Sequence, residues 1–206
     1  MRHYKFPKWL KRFYPRAIWN FSSRASGKKI IYLTFDDGPH PNTTPWLLDL
    51  LKQYQAHATF FCLGKNAAEY PKLFDRLTAE GHTVGNHSQS HPNGLKVNTD
   101  EYVKDIINAE RSIKSHIFRP PYGKITPGQH RKLKKLGYRV IFWSHITYDF
   151  DQKLPSNVRM EKIKSATKPG AVIVFHDSEK ALPQLKVELP QLLEHWKKLG
   201  YRFATI

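Results

Sequence analysis

Residues 30–39 of the chain read IIYLTFDDGP, a run that joins a strand signal to a pair of carboxylates. The first six residues are mostly apolar, β-branched or aromatic, which is typical of a buried strand. Asp36 and Asp37 follow directly, and Gly38-Pro39 favours a turn with close backbone approach. An Asp-Asp-Gly-Pro run by itself is also common where a turn caps a helix, so its meaning depends on the rest of the chain.

Similar apolar runs recur along the chain and alternate with segments of helical periodicity. The further strand candidates are residues 58–63, 83–86, 117–118, 139–143, 171–175 and 202–206. Strands that alternate with helices favour a parallel sheet joined by right-handed crossovers. We therefore predict an α/β fold, a distorted, incomplete (β/α) barrel of about seven parallel strands, with an open doubly wound sheet as the structural alternative.

The basic and aromatic residues at the start of the chain suggest a division into two parts. No Asp or Glu precedes Asp36, whereas lysines, arginines and aromatic rings are interleaved there. We therefore divide the chain into a basic aromatic N-terminal extension, residues 1–28, and a main domain, residues 29–206. Two interpretations of the extension stay open: an aromatic strap packed across one end of the domain, or a segment lying on an anionic membrane surface.

Charge and cysteine content exclude several classes of protein. The formal net charge is +17, which suits an anionic cell-wall or membrane surface, but no recognised nucleic-acid motif accompanies it, so specific nucleic-acid binding is not predicted. The single cysteine, Cys62, excludes a disulfide within the chain and a cysteine-based zinc site. Charges interrupt every early apolar run, so we predict no signal peptide and no transmembrane segment. We expect a monomer that is cytoplasmic or peripherally associated with a membrane.

Titratable side chains follow the strand candidates at their carboxyl ends. These residues are Asp36, Asp37, His87, His91, Arg119, Asp149 and His176. In barrels and open α/β sheets, the carboxyl ends of the strands meet at the face that carries the functional site. Scattered core or surface residues have no reason to share this register, so we expect these side chains to converge on one site.

The residue types within this set indicate metal and acid–base chemistry. His87 and His91 are four positions apart, which lets both imidazoles reach one ion, although most isolated pairs of this kind are surface histidines. With a nearby carboxylate they make a two-histidine, one-aspartate set that leaves positions open for water and substrate. The stiff Pro120-Pro121 pair favours a fixed Arg119 beside a carboxylate. His176, at the end of a buried strand, is placed for general acid or base work.

Five segments, in order along the chain, resemble the motifs of the polysaccharide deacetylase family, which is the NodB-homology group or carbohydrate esterase family 4. The segments are residues 34–39, residues 87–91, residues 119–122, the region around Asp149, and residues 174–176. The resemblance spans roughly residues 29–206 and implies that they form the catalytic domain, a distorted (β/α) barrel. It implies removal of acetyl groups from N-acetylglucosamine polymers such as peptidoglycan and chitin, or from xylan.

The resemblance also implies roles for the residues of the first three motifs. Asp36 matches the family's catalytic base, and Arg119 matches the residue that orients it. Asp37, His87 and His91 match the ligands of a divalent metal, which is usually Zn²⁺, with Co²⁺, Mn²⁺ or Ni²⁺ as alternatives.

The remaining matched positions concern the oxyanion and the leaving group. Tyr122, next to Pro121, matches the residue whose backbone N–H contacts the oxyanion. His176 matches the general acid, and Asp149 matches the residue that tunes its pKa.

Two positions depart from the family pattern. Phe150 stands where the family usually has tryptophan, and Asp151 beyond it is a rival to Asp149 for the tuning role. Val174 stands where the family usually has leucine. Both substitutions remain apolar, so we expect them to change the shape of the pocket rather than the chemistry.

The expected function is therefore metal-dependent hydrolysis of the N-acetyl group of a polysaccharide that contains N-acetylglucosamine, with release of acetate. An O-acetyl esterase or a small-molecule amidase on the same scaffold is an alternative within the hydrolases. A catalytically silent saccharide-binding module is the alternative from another class, and it predicts lost ligands, whereas every metal and acid–base position here is filled.

Overall fold

A parallel β-sheet forms the centre of the protein. The structure, a computed structural model, describes residue 4, residues 7–21 and residues 27–206. Within these residues the sheet has eight strands: β1 (Ile30–Asp36), β2 (Thr59–Cys62), β3 (Thr83–Asn86), β4 (Ile117–Phe118), β5 (Arg139–Val140), β6 (His145–Ile146), β7 (Val172–His176) and β8 (Arg202–Phe203). The α-helices are α1 (Thr44–Gln53), α2 (Gly64–Glu69), α3 (Pro71–Ala79), α4 (Thr99–Ala109), α5 (Pro127–Lys135), α6 (Ser156–Ala166) and α7 (Leu182–Lys198).

The sheet curls into an incomplete barrel around β1. Its order is β5-β4-β3-β2-β1-β7-β6, and β8 pairs with the first residues of β1. Every strand pair is parallel, and the last residue of β1, Asp36, lies beside Phe61 of β2 and His176 of β7. The prediction of an α/β fold with a distorted, incomplete barrel is confirmed.

The predicted strand over residues 139–143 was wrong in its extent. Only β5 forms there, and the short strand β6, absent from the sequence-based prediction, follows after a break. The break has a physical cause, because the carbonyls of Ile141 and Phe142 accept hydrogen bonds from the buried Arg119 side chain, at 3.3 and 3.2 Å. These carbonyls face the Arg119 side chain rather than a neighbouring strand.

Local sequence signals explain where several helices begin and end. Thr126 caps α5, and its side chain and that of Gln129 make the reciprocal hydrogen bonds of a capping box. Gly81 and Gly200 follow α3 and α7 with φ of 81° and 78°, the left-handed conformation that ends a helix readily when the residue is glycine. The helices α1 and α7 bury their apolar faces in the core that contains β1. Leu51 of α1 and Leu189 of α7 are fully buried in the same cluster as Leu33 of β1.

The described part of the N-terminal extension packs on the barrel. Trp19 is 7% exposed, and its ring stacks on Phe142 with centroids 4.1 Å apart. Isolated bridges pair Ile18 with Ile141 and Asn20 with Ala171, so this segment crosses the interruption in the sheet. The arrangement agrees with the strap interpretation for residues 14–21.

The membrane-surface interpretation also involves residues at the very start of the chain. Of these, Arg2, Lys5, Phe6 and Arg24 lie outside the described residues. Among the residues that the structure does describe, no helix combines the length and the apolar character that a membrane span requires.

Candidate active site

The carboxyl ends of β1, β3 and β7 open into a cavity of about 790 Å³. The sequence-predicted residues that line it are Asp36, Asp37, His87, His91, Tyr122 and His176. Arg119 and Asp149 lie directly behind this surface, at 0% and 1% exposure. Pro120 lines the cavity, whereas the neighbouring Pro121 is buried and begins a short 3₁₀ turn with Tyr122. The predicted side chains therefore converge on one place.

Asp37, His87 and His91 form a compact set of ligand atoms. These atoms all lie within 4.8 Å of one another, with Asp37 Oδ1 at 3.3 Å from His91 Nε2 and 3.6 Å from His87 Nε2. His87 Nδ1 lies 2.8 Å from the carbonyl of Arg119, a contact that requires Nδ1 to carry the proton. With that proton on Nδ1, the lone pair of Nε2 on neutral His87, 3.6 Å from Asp37 Oδ1, is available to bind a cation between them.

The electrostatics of this set fit a divalent cation. Burial lowers the pKa of His87 to about 4, so its imidazole is neutral at pH 7. Burial raises the pKa of the Asp37 carboxyl, but His91, His176 and His87 outweigh that effect and hold it below its ordinary value. Asp37 Oδ1 is buried and makes no well-formed hydrogen bond within the described part of the chain, despite its proximity to His91. A charged oxygen and two imidazoles directed at one point are the donor set of a catalytic zinc-type site.

Several residues of the site hold a left-handed backbone conformation that non-glycine residues rarely adopt. The φ angles are 81° at Asp37, 65° at His91 and 58° at Tyr122. Such conformations cost on the order of 1–3 kcal/mol each and persist only where the surroundings fix them. Here Asn66 Nδ2 donates to the carbonyl of Asp37 at 2.7 Å, and the His91 N–H donates to Ser88 Oγ at 3.0 Å.

Asp105 fixes the loop between the two histidines, and no sequence signal identified it. Its carboxylate accepts the N–H groups of Gln89 and Ser90, at 2.8 and 3.1 Å, and the Ser90 hydroxyl at 2.6 Å. Asp105 lies on α4, far along the chain from this loop, and nothing in its local sequence marks it. It holds the backbone from which His87 and His91 project.

Arg119 makes a dense network that ends on Asp36. Its Nη1 donates to Asp36 Oδ1 at 2.7 Å and to Thr34 Oγ1 at 2.6 Å. Its guanidinium carbon also lies 4.1 Å from the centre of the Phe61 ring. A fully buried cation with this many partners is held in one orientation, so it fixes the carboxylate of Asp36 as well.

His176 and Asp149 form the second ion pair of the site. Asp149 Oδ1 lies 2.7 Å from His176 Nδ1, and Asp149 Oδ2 accepts the backbone N–H of His176, also at 2.7 Å. Burial lowers the pKa of His176, but the charge and hydrogen bond of Asp149, helped by Asp37 and Asp36, raise it to about 9. The rival carboxylate, Asp151, accepts the N–H of Lys153 at 3.1 Å in the turn that follows.

The two positions that depart from the family pattern lie in different surroundings. Phe150 is 38% exposed, lines the cavity, and meets the His176 ring edge-on, with centroids 4.7 Å apart. Val174 is fully buried within β7. Phe150 therefore shapes the cavity, together with Trp143 and Tyr148, which the sequence reasoning did not identify.

Asp177, next to His176, is a further buried acid that the sequence reasoning did not assign. Its Oδ2 accepts the hydroxyl of Thr44 at 2.6 Å, and burial raises its pKa to about 8. A Cβ at Gly38 would lie 2.1 Å from that oxygen, so only glycine fits there. The close backbone approach expected of Gly38 is thus made to a carboxyl group of the protein.

Arg159 orders the loop that carries Asp149. It is 1% exposed, pairs with buried Glu188 at 2.9 Å, and donates to the carbonyls of Tyr148 and Leu154. Removal of one partner from a buried pair leaves the other charge without compensation.

We expect Arg159→Met to lower the free energy of unfolding by about 3–5 kcal/mol, because Glu188 would stay buried without its partner. Chemical denaturation measures this loss. The matched control is Lys132→Met, which removes an exposed pair with Asp100 and should cost about 0–1 kcal/mol. Equal losses in the two variants would contradict the role given to Arg159.

Comparisons with known proteins give the family and the fold of the chain. The family model described as polysaccharide deacetylase matches residues 23–141. A curated peptidoglycan-N-acetylglucosamine deacetylase of Bacillus cereus is 37% identical over 186 residues, covering 87% of this chain and 67% of that protein. A chitooligosaccharide deacetylase of Bradyrhizobium sp. is 35% identical over 159 residues, covering 74% of this chain and 72% of that protein. The crystal structure of the Bc1960 peptidoglycan N-acetylglucosamine deacetylase superposes with a TM-score of 0.87 at 33% identity, covering 98% of this chain and 95% of that one.

Proposed function

This chain belongs to the polysaccharide deacetylase family, and from that premise we propose that it hydrolyses the N-acetyl groups of N-acetylglucosamine in peptidoglycan. The observation that carries the proposal is the convergence of Asp36, His176 and the Asp37–His87–His91 set on one cavity. The names of its relatives support the substrate, since peptidoglycan deacetylases match over most of the chain. Chitooligosaccharides are the second candidate, because deacetylases of that name match almost as well.

Asp37, His87 and His91 are the proposed ligands of a divalent ion, and Zn²⁺ is our candidate because it favours few nitrogen and oxygen ligands. Such an ion, when bound, supplies a Lewis acid that withdraws charge from the acetamide carbonyl. The residues of the chain prepare the site for it. His87 donates a hydrogen bond from Nδ1 to the carbonyl of Arg119, which leaves Nε2 unprotonated. Asp105 holds the loop between the two histidines.

Asp36 is the proposed general base. It lines the cavity beside the ligand set and is 4% exposed. The hydrogen bond from Arg119 engages only Oδ1, which leaves Oδ2 to accept the proton of the attacking water. Arg119 is a positioning residue in this scheme, since it holds the carboxylate in place.

The backbone N–H of Tyr122 is the proposed hydrogen-bond donor to the oxyanion that forms on the acetyl group. Tyr122 lines the cavity in the 3₁₀ turn that Pro121 begins, and its ring packs edge-on against His91 with centroids 4.4 Å apart. Pro120 and Pro121 restrict the backbone at this turn. A fixed donor of this kind contributes about 3–4 kcal/mol to stabilisation of the transition state.

His176 is the proposed general acid for the leaving amine. An amine leaves poorly as an anion, so a proton must reach its nitrogen as the C–N bond breaks. The Asp149 pair keeps His176 protonated at neutral pH, since its pKa is raised to about 9. A carboxylate base and an acid held protonated within one cavity are the division of roles that acid–base catalysis at pH 7 requires.

This division predicts a shift in the pH profile of Asp149→Asn. Loss of a negative charge beside His176 disfavours the imidazolium, so the pKa falls from about 9 towards the ordinary 6.5. The proton on the acid is lost at lower pH, and the alkaline limb of kcat/KM moves to lower pH in the variant. A bound cation lowers the pKa in both proteins, so the difference between the two profiles is the readout. An unmoved alkaline limb would contradict the assignment of His176 as the acid.

The test of the proposed function is acetate release from peptidoglycan, chitin oligomers and acetylated xylan, assayed side by side. The proposal expects release from the N-acetylated substrates, with peptidoglycan preferred. Release from acetylated xylan alone would identify an O-acetyl esterase and overturn the proposal. Zn²⁺ as the native ion is tested by the metal content of the purified protein, and the expected monomer by its mass in solution.

A further inference from the structure

Part of the cavity wall lies outside the region that the family model matches. Pro7 and Leu10 line the same cavity as Asp36 and His176, although the match begins at residue 23. We propose that the segment from Pro7 to Leu10 is a saccharide subsite, which contacts sugar units next to the one that loses its acetyl group. The inference rests on the proposed function for the identity of the ligand.

Tyr4, three positions before the segment, contacts the barrel. The carbonyl of Tyr4 accepts the N–H of Ile146 at 3.1 Å. The Tyr4 ring stacks on His145 with centroids 5.4 Å apart and meets Tyr148 edge-on at 5.1 Å. The ammonium of Lys162 lies 4.4 Å from the centre of the same ring, a cation–π contact.

The segment is also fixed beyond its end. Leu10 lies in the 3₁₀ helix Lys8–Phe13, and its N–H donates to the carbonyl of Pro7 at 3.1 Å. The hydroxyl of Tyr14 donates to the carbonyl of Ile125 at 2.6 Å. With anchors on both sides, this part of the wall is part of the folded barrel, and binding does not have to order it.

The lining of the cavity suits a pyranose chain. Pro7 and Leu10 share it with Ile146, Tyr148 and Phe150, so apolar and aromatic surface is available to the C–H faces of sugar rings. Ser178, Lys180 and Lys124 line the same cavity and offer hydrogen-bond donors for hydroxyl and carbonyl oxygens.

The size of the cavity also indicates more than one sugar unit. Its volume is about 790 Å³, in the upper part of the range of about 300–1,000 Å³ that holds drug-sized ligands. One N-acetylated sugar ring is smaller than such a ligand. The remaining space is where neighbouring units of the polymer would meet Leu10.

The experiment compares Leu10→Ala with wild type on N-acetylglucosamine oligomers from dimer to hexamer. We expect KM to rise by about twofold for the dimer and about tenfold for the longest oligomers, because loss of an apolar contact at a subsite weakens binding by up to about that factor. The change should lie in KM rather than kcat, since Leu10 has no role in the proposed bond-breaking step. Leu10→Met, which keeps an apolar side chain, should restore most of the wild-type KM.

The matched control is Phe13→Ala, in the same 3₁₀ helix. Phe13 is 52% exposed and packs edge-on against Trp9. The control should leave the dependence of KM on chain length as in wild type. An equal effect of Leu10→Ala and Phe13→Ala, or an effect that does not grow with oligomer length, would overturn the subsite.

A binding measurement separates this inference from the proposed function. Calorimetry measures binding of an N-acetylglucosamine pentamer to Asp36→Asn and to Asp36→Asn/Leu10→Ala. Binding to these variants is measured without turnover of the substrate. Weaker binding of the double variant supports the subsite even if wild type releases no acetate, in which case the proposed function alone fails. Equal binding, with equal thermal unfolding midpoints, overturns the subsite even if wild type is an active deacetylase.

Discussion

Asp36→Asn is expected to lower kcat for acetate release by about a thousandfold, within the range of roughly 10²–10⁴ that general base catalysis contributes. The amide of asparagine cannot accept a proton from the attacking water. It can still accept the hydrogen bond from Arg119 Nη1, which lies 2.7 Å from Oδ1 in the present protein. The side chain therefore keeps its place and loses its basicity. Initial rates of acetate release at saturating substrate measure the effect.

Two measurements exclude a trivial loss of structure in Asp36→Asn. The metal content should match that of wild type, because the proposed ligands are Asp37, His87 and His91 rather than Asp36. Thermal unfolding should remain cooperative, although removal of the charge beside fully buried Arg119 lowers the midpoint. Asp49→Asn, at an aspartate that is 70% exposed, serves as the matched control and should keep wild-type kcat. A variant that folds, holds metal and retains wild-type turnover would remove Asp36 as the base.

Removal of the divalent metal is expected to reduce acetate release at least a thousandfold, and one equivalent per chain should restore it. The proposed ligands explain the stoichiometry, since the ligand atoms of Asp37, His87 and His91 all lie within 4.8 Å of one another and can share one ion. Metal content by mass spectrometry and acetate release are followed together during chelation and reconstitution. The unfolding midpoint should also rise on reconstitution, because a ligand that binds the folded state stabilises it.

Two histidine variants serve as controls for the metal-removal experiment. His87→Ala should abolish binding of one equivalent, because it removes one of the three proposed ligands. His116→Ala, at a histidine outside this cluster, should leave metal content unchanged. Acetate release that survives chelation in protein shown to contain no metal would exclude a metal from the mechanism.

The fold was largely predictable because its signals are local. Buried apolar runs mark β1, β2 and β7, and glycines such as Gly81 and Gly200 end the helices before the next strand. The break between β5 and β6 was not predictable in the same way. It depends on Arg119, which precedes the break by about twenty residues and donates hydrogen bonds to the carbonyls of Ile141 and Phe142.

The residues of the candidate site were visible from sequence because parallel strands bring their carboxyl ends together. The supporting residues were not visible. Asp105 and Arg159 lie on helices, at positions with no motif, and act through backbone groups of the loops that precede those helices. The contribution of Leu10 to the cavity likewise depends on how the N-terminal segment packs. Such long-range contacts leave no periodic trace in the chain.

N-deacetylation by this site is tested most directly by a simultaneous measurement of acetate and free amine formed from an N-acetylglucosamine oligomer. Hydrolysis of the N-acetyl group by the site of Asp36, His176 and the metal ligands predicts one new amine for each acetate. It also predicts that both products disappear together in Asp36→Asn. Metal-loaded, folded protein that forms neither acetate nor amine from this oligomer would contradict N-deacetylation by this site.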